Sequence, residues 1–242
     1  MTGKLYVVGV GPGDPDLLTI KAVKILQNVS CICVPKGREE GSSLALSIIE
    51  SIVDLKGKNI VEAYFPMKKT RSEAADDELE CRWNETAVRI QEALENGNDV
   101  AFITIGDPTI YSTFFYLYDR LIALMPNLDI EIVPGVSSIT AASARSGISL
   151  GLADEKIAII PATYSGDIGK VFSEFETVVL MKVYKVFDKI MRYLADAGLI
   201  EGAIYVSKAG MREEAVIRRL GDVKKEDLSY FSLIIVRRRS RL

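Results

Sequence analysis

Most residues in this 242-residue chain whose types and spacing could do chemistry lie in three short loops. They are Gly9-Val10-Gly11-Pro12-Gly13-Asp14, Gly106-Asp107-Pro108-Thr109 and Pro134-Gly135-Val136-Ser137-Ser138. Each directly follows a run of apolar, β-branched residues, so each reads as a loop at the carboxyl end of a strand, where open α/β sheets bind ligands. Glycine lets the backbone approach a ligand closely, and the aspartates and serines offer small acceptors and donors. The first loop invites a dinucleotide reading, but the G-x-G-x-x-G fingerprint is incomplete. Asp14 stands where its third glycine would be and would repel a pyrophosphate. The second strand runs into Val34-Pro35-Lys36, without the acidic residue that would hold a ribose. Taken alone, the loop reads equally as a tight strand-to-helix turn with Asp14 as cap.

The chain has no histidine. That excludes Ser-His-Asp and Cys-His catalysis, histidine-ligated zinc and imidazole acid–base chemistry. Three cysteines do not make a disulfide framework in a chain of this length, so Cys31, Cys33 and Cys81 read as packing residues. No metal site is expected. The chemistry must run on other groups, or mostly on positioning.

The elements that would position these loops follow from pattern. Leu5 to Val8 reads as a buried strand ending in the first loop. Asp14 with Pro15 marks a helix start, and Leu18, Ala22, Ile25 and Leu26 follow at helical spacing. A second strand covers Cys31 to Val34, halted by Pro35. Residues 43–53 read as helix and 59–64 as a third strand. Leu79, Trp83, Ala87, Ile90 and Leu94 trace one face of a long helix over 72–96, ended by Gly97. Residues 99–105 and 129–133 are the strands that feed the second and third loops, and a helix starts near Ser137. This alternation predicts an α/β chain whose first domain, residues 1–147, holds a mainly parallel five-stranded sheet. Residues 148–242 form a second α/β domain. Strands at 156–161, 177–182, 203–207, 215–219 and 232–237, with two clear helices, predict a mixed sheet there. The run Arg237-Arg238-Arg239-Ser240-Arg241 reads as a solvated tail.

Thirty basic against thirty-three acidic residues, a net charge of −3, give no electrostatic reason to expect nucleic acid. No apolar run reaches the length of a membrane span, and the first residues lack a secretory pattern. No nucleic-acid or membrane partner and a cytoplasmic location are therefore expected.

Together the loops resemble the tetrapyrrole methylase family. The likeness covers nearly the whole chain. It rests on Gly9 to Lys36, on Thr104-Ile105-Gly106-Asp107-Pro108-Thr109-Ile110-Tyr111, and on Val133-Pro134-Gly135-Val136-Ser137-Ser138. Two later motifs, Val179-Leu180-Met181-Lys182 and Val206-Ser207-Lys208-Ala209-Gly210, follow in the family's order. Phe65-Pro66-Met67, Tyr111-Ser112-Thr113-Phe114 before Leu117, Val183 after Lys182, and Tyr230-Phe231-Ser232-Leu233 look like the branch that methylates C20 of precorrin-2 or cobalt-factor II. A family member acting at another ring position is the alternative.

The resemblance implies S-adenosyl-L-methionine as methyl donor, an active site in the cleft between two α/β domains, a small-molecule tetrapyrrole substrate and a homodimer. It carries cofactor contacts onto Pro12, Ile105, Gly106, Asp107, Ile110, Ser137, Ser138, Met181 and Ala209. Ser137-Ser138 stand where many relatives have Thr-Ala. An aspartate given proton chemistry in relatives that methylate uroporphyrinogen corresponds to Pro35 here, so that role does not transfer. Asp14 and Tyr111 remain as catalytic candidates. A polycarboxylate substrate needs cations, and Lys36 and Arg38, with Lys68, Lys69 and Arg71 nearby, follow the second and third strands.

Overall fold

The computed structural model describes residues 2–37, 43–64, 73–164 and 166–238, with the side chains of 73–77 left aside. The chain divides into two compact units, Met1–Ser137 and Ser138–Leu242. The division falls before the helix that starts at Ser138, not after it: the break in periodicity at residues 146–151 ends a helix of the second unit.

In the first unit, strands β1 (Leu5–Gly9), β2 (Cys31–Lys36), β3 (Asn59–Tyr64), β4 (Val100–Thr104) and β5 (Ile130–Val133) form a sheet of order β3-β2-β4-β1-β5. Every pairing is parallel. Helices α1 (Ile20–Asn28), α2 (Leu44–Ile49), α3 (Glu73–Glu95) and α4 (Phe114–Leu124) complete it. Because successive strand residues face opposite ways, adjacent apolar residues feed two cores. Val7, Cys33 and Phe102 pack with Ala87, Ile90, Leu94, Phe114, Leu117 and Leu121 of α3 and α4. Val8, Ile32 and Ile103 pack with Ala22, Leu26, Ile48 and Ile49 of α1 and α2. Burial on both faces explains why these strands read as unbroken apolar runs.

Several local expectations change. Asp14 caps only a short 3₁₀ turn, Pro15–Leu17, by accepting from the Asp16 N–H at 3.0 Å. Thr19 caps α1 itself, its hydroxyl accepting from the Ala22 N–H at 3.1 Å. Pro35 does not halt β2. It pairs with β3 alone, beyond the last residues of β2 that pair with β4, so its missing N–H removes no bond there. Helix α4 has no counterpart among the sequence expectations, although Phe114, Leu117 and Leu121 are its buried stripe. Cys31 and Cys33 are buried packing residues as read, but Cys81 is exposed.

In the second unit, β6 (Ile157–Pro161), β7 (Thr177–Met181), β8 (Ala203–Ser207), β9 (Ala215–Ile217) and β10 (Ser232–Arg237) lie in the order β6-β7-β10-β8-β9. β6 and β7 are parallel, and β10 runs antiparallel to both β7 and β8, which makes the sheet mixed. Helices α5 (Ser138–Ser146), α6 (Ile168–Glu174) and α7 (Phe187–Asp196) accompany it. Phe172, Leu180, Phe187, Ile190, Leu194, Tyr205 and Ile234 form its core. The buried Tyr205 hydroxyl is satisfied by donating to the Asp227 carbonyl at 2.7 Å. The terminal arginines are not all solvated. Arg237 pairs with Glu155 at 2.7 Å and Arg238 with Glu176 at 3.8 Å, while residues 239–242 lie outside the described residues. Among the described residues, no helix is long and apolar enough to cross a membrane.

Candidate active site

The strand order decides the site of the first unit. β4, β1 and β5 are neighbours, so the loops that follow them, far apart in the chain, meet at one edge. Contact is at van der Waals range between backbones. A Cβ on Gly9 would lie 2.6 Å from the Gly106 oxygen and 2.7 Å from the Gly135 nitrogen. A Cβ on Gly135 would lie 2.3 Å from the Gly106 oxygen. Gly11 and Gly106 form an isolated antiparallel bridge: the Gly106 N–H donates to the Gly11 carbonyl at 2.7 Å and the Gly11 N–H to the Gly106 carbonyl at 3.3 Å. Both glycines have left-handed backbones, φ +77° and +75°. Glycine is therefore required at these points for conformation and for space.

Asp107 fastens two of the loops. One carboxylate oxygen accepts from the Gly135 N–H at 3.1 Å. The other accepts from the Thr109 N–H at 2.8 Å and from the Thr109 hydroxyl. The aspartate expected to receive a cofactor hydrogen bond thus already has a scaffold task. Each carboxylate oxygen has two lone pairs, so the two tasks are compatible. Pro12 and Gly106 are buried, and Ile105 and Ile110 half-buried, beside it. Among the described residues, no hydrogen bond engages the backbone N–H or C=O of Ile105. Buried backbone groups are normally satisfied, so a half-buried pair of this kind is a fitting ligand contact. Ser137 is 8% exposed and immediately precedes α5, which Ser138 opens.

Of the two catalytic candidates, Tyr111 is 49% exposed with φ +53°, a conformation costly for an aromatic residue and typical of functional loops. Asp14 is half-buried and occupied as the cap described above.

In the second unit, β6, β7 and β8 end at one edge of the sheet, because β10 is antiparallel to β7 and to β8. Met181 and Ala209 both lie there. The Lys182 N–H donates to the Ser232 carbonyl at 3.2 Å and the Lys208 N–H to the Phe231 carbonyl at 2.6 Å, which ties both segments to the start of β10. Lys182 and Lys208 have φ +59° and +51°. Sequence reasoning missed these two strained positions, and lysine carries no signal for a left-handed backbone that would have found them.

The expected substrate cations fare differently. Lys36 is at the end of β2 with only 10% of its side chain exposed, paired with Glu62 at 3.0 Å. Arg38, Lys68, Lys69 and Arg71, and the Phe65-Pro66-Met67 segment, lie outside the described residues. Among the described residues, no group of three or more His, Cys, Asp or Glu could hold a metal.

The donor set suits a cationic, phosphate-free cofactor. The three glycine loops, residues 9–14, 106–109 and 134–138, contain two aspartates and two serines but neither lysine nor arginine. Carboxylates and unbonded backbone groups favour an ammonium or sulfonium and disfavour a pyrophosphate.

Comparison with known proteins agrees with this chemistry. The family described as Tetrapyrrole (Corrin/Porphyrin) Methylases matches residues 4–224. The chain is 38% identical to the cobalt-precorrin-2 C(20)-methyltransferase of Salmonella typhimurium, over 98% of this chain and 97% of that one. It is 37% identical to a probable cobalt-precorrin-2 C(20)-methyltransferase of Methanocaldococcus jannaschii, over 98% and 97%. Among solved structures, it is similar to the cobalamin biosynthetic enzyme cobalt precorrin-4 methyltransferase. The TM-score there is 0.75 at 23% identity, with 96% of this chain and 94% of that one covered. Similarity to the uroporphyrin-III C-methyl transferase of Thermus thermophilus, solved with S-adenyl homocysteine, has a TM-score of 0.65 at 21% identity, over 97% and 92%. At these identities the structural likenesses speak for the fold.

Proposed function

The chain belongs to the tetrapyrrole (corrin/porphyrin) methylases, and within that family we propose that it transfers a methyl group from S-adenosylmethionine to C20 of precorrin-2 or its cobalt-bearing counterpart in cobalamin biosynthesis. The observation that carries this reading is the likeness to C(20)-methyltransferases over nearly the full length of both chains. The glycine loops of β4, β1 and β5 supply a site of matching chemistry.

When bound, S-adenosylmethionine supplies a methyl group already activated by its sulfonium. The residues proposed to contact it are Pro12, Ile105, Gly106, Asp107, Ile110, Ser137, Ser138, Met181 and Ala209. Asp107 accepts hydrogen bonds, the backbone of Ile105 accepts and donates them, Gly106 permits close approach, and Met181 offers a polarizable apolar contact. The methyl group would pass to the electron-rich meso carbon, leaving S-adenosylhomocysteine, and the proton displaced from that carbon would pass to a group of the chain. The chain's contribution is to hold the reacting atoms in line and keep water away, which needs no histidine. Asp14 and Tyr111 are the candidate proton acceptors. Lys36 is the proposed partner of a substrate carboxylate, exchanging Glu62 for it. The same reading takes the enzyme as a homodimer, which sedimentation of the purified protein tests.

Calorimetry with S-adenosylmethionine and with NAD, followed by NMR of the product from precorrin-2 and from cobalt-factor II, tests the proposal. Binding of S-adenosylmethionine and a new methyl at C20 are expected. NAD binding without S-adenosylmethionine binding overturns the cofactor assignment, and a methyl at another carbon overturns the regiochemistry.

A further inference from the structure

The hairpin loop between β8 and β9, residues 208–214, is organised around one carboxylate. Lys208 and Gly210, on either side of Ala209, both have left-handed backbones, φ +51° and +76°. An L side chain at Lys208 resists that conformation, so something must hold the loop. The Lys208 N–H bonds the Phe231 carbonyl at 2.6 Å, and the Met211 N–H returns to the Lys208 carbonyl at 2.8 Å. Between these, the Gly210 N–H donates to Glu214 Oε2 at 2.6 Å, a short bond to a side chain only 22% exposed. The same oxygen receives Arg145 Nε, from the last turn of α5, at 3.2 Å. Arg218 adds a second tie to α5 by donating to the Ser146 carbonyl at 2.8 Å. Ala209 itself is 6% exposed, and among the described residues no hydrogen bond engages its backbone N–H or C=O.

We propose that Glu214 is a positioning residue for the cofactor: by capturing the Gly210 N–H it keeps the Ala209 backbone turned and unbonded, ready for a ligand with a complementary donor–acceptor edge. The assignment rests on the reading above in which Ala209 contacts S-adenosylmethionine. The bond to Gly210 lies in the loop, whereas the pair with Arg145 joins the loop to a helix. The two can therefore be separated. Glu214→Ala removes both, Arg145→Ala removes the pair while leaving the Gly210 bond, and Glu214→Gln keeps a carbonyl acceptor for Gly210 while losing the charge.

The test combines calorimetric affinity for S-adenosylmethionine with KM for both substrates and kcat in these three full-length variants. Loss of a charge-assisted bond that orders a binding loop predicts an increase of about tenfold in Kd and KM for S-adenosylmethionine in Glu214→Ala. Glu214→Gln and Arg145→Ala should stay within about threefold of wild type, with KM for the tetrapyrrole unchanged in all three. A merely structural role would lower the active fraction, and so kcat, while leaving both KM values in place; that result overturns the proposal. So does an Arg145→Ala defect equal to that of Glu214→Ala. Wild-type protein that binds no S-adenosylmethionine refutes the cofactor reading instead. The ordering of the loop by Glu214 is then still decided by amide hydrogen exchange at residues 208–211. Faster exchange in Glu214→Ala supports it, and unchanged exchange overturns it.

Discussion

Replacing Gly135 by alanine should force the three glycine loops apart. The new Cβ would lie 2.3 Å from the Gly106 oxygen, 2.9 Å from the Gly9 carbonyl carbon and 3.0 Å from the Gly9 Cα. All three neighbours are backbone atoms, so no rotamer change relieves the clash. The Gly106 carbonyl also accepts from Gly11 at 3.3 Å, and the Gly135 N–H donates to Asp107 at 3.1 Å, so relief in either direction breaks a bond between loops. Overpacking of this kind costs about 1–3 kcal/mol, and losing a hydrogen bond to a charged group adds about 1.5–3 kcal/mol. Destabilisation of the first unit by about 3–5 kcal/mol is expected. Trp83 is the chain's one tryptophan and sits in α3, so its fluorescence during equilibrium urea unfolding reports on this unit. Gly57 provides the comparison: it has φ +79° but no atom within 4 Å of a built Cβ, so Gly57→Ala should cost only the left-handed penalty of about 1–2 kcal/mol. A Gly135→Ala protein as stable as Gly57→Ala would refute the claim that these loops are in backbone contact.

Asp107→Ala should destabilise the same unit by about 2–3 kcal/mol, read by the same unfolding curve, because it orphans the half-buried Gly135 N–H. Glu131 has its pKa lowered below 4.5 by hydrogen bonds from Lys21 and Lys4. A depressed native pKa means that its contribution is present above the unfolded value and disappears as pH falls through the folded one. The gap in urea midpoint between wild type and Glu131→Gln should accordingly close on acidification below 4.5; a gap that persists there contradicts the ion pairs. Cys81 should alkylate in the native protein, whereas Cys31 and Cys33, buried and with thiol pKa values pushed up by that burial, should react only in denaturant. Mass spectrometry of the labelled protein checks this, and native labelling of Cys33 would contradict the packing of β2.

Much of this molecule is written locally. Apolar runs such as Val100–Thr104 and Val178–Leu180 must be strands buried on both faces, and the stripe Ala87, Ile90 and Leu94 must be a helix face. These depend on neighbours within a few residues, where side-chain periodicity acts directly. The absence of histidine and of cations in the three glycine loops likewise restricts the chemistry before any fold is known. Where local signals compete, the pattern fails. Asp14 and Pro15 are a proper start signal, yet they begin a 3₁₀ turn and Thr19 begins the helix. Pro35 is compatible with a strand because the pairing of β2 with β4 has already ended before it.

The order β4-β1-β5 is not local at all. It brings Gly11 to Gly106 and Asp107 to Gly135, contacts that no spacing along the chain implies. The pairing of Lys36 with Glu62 on β3 and the bond from Gly210 to Glu214 are likewise matters of which side chain meets which partner. Residue type and spacing thus determined that the chain would make glycine loops at strand ends, with groups suited to a cationic cofactor. Only the packing of non-adjacent strands decided which loops touch and which charges are already engaged, because hydrogen bonds and backbone contact act through distance in space and not through separation in sequence.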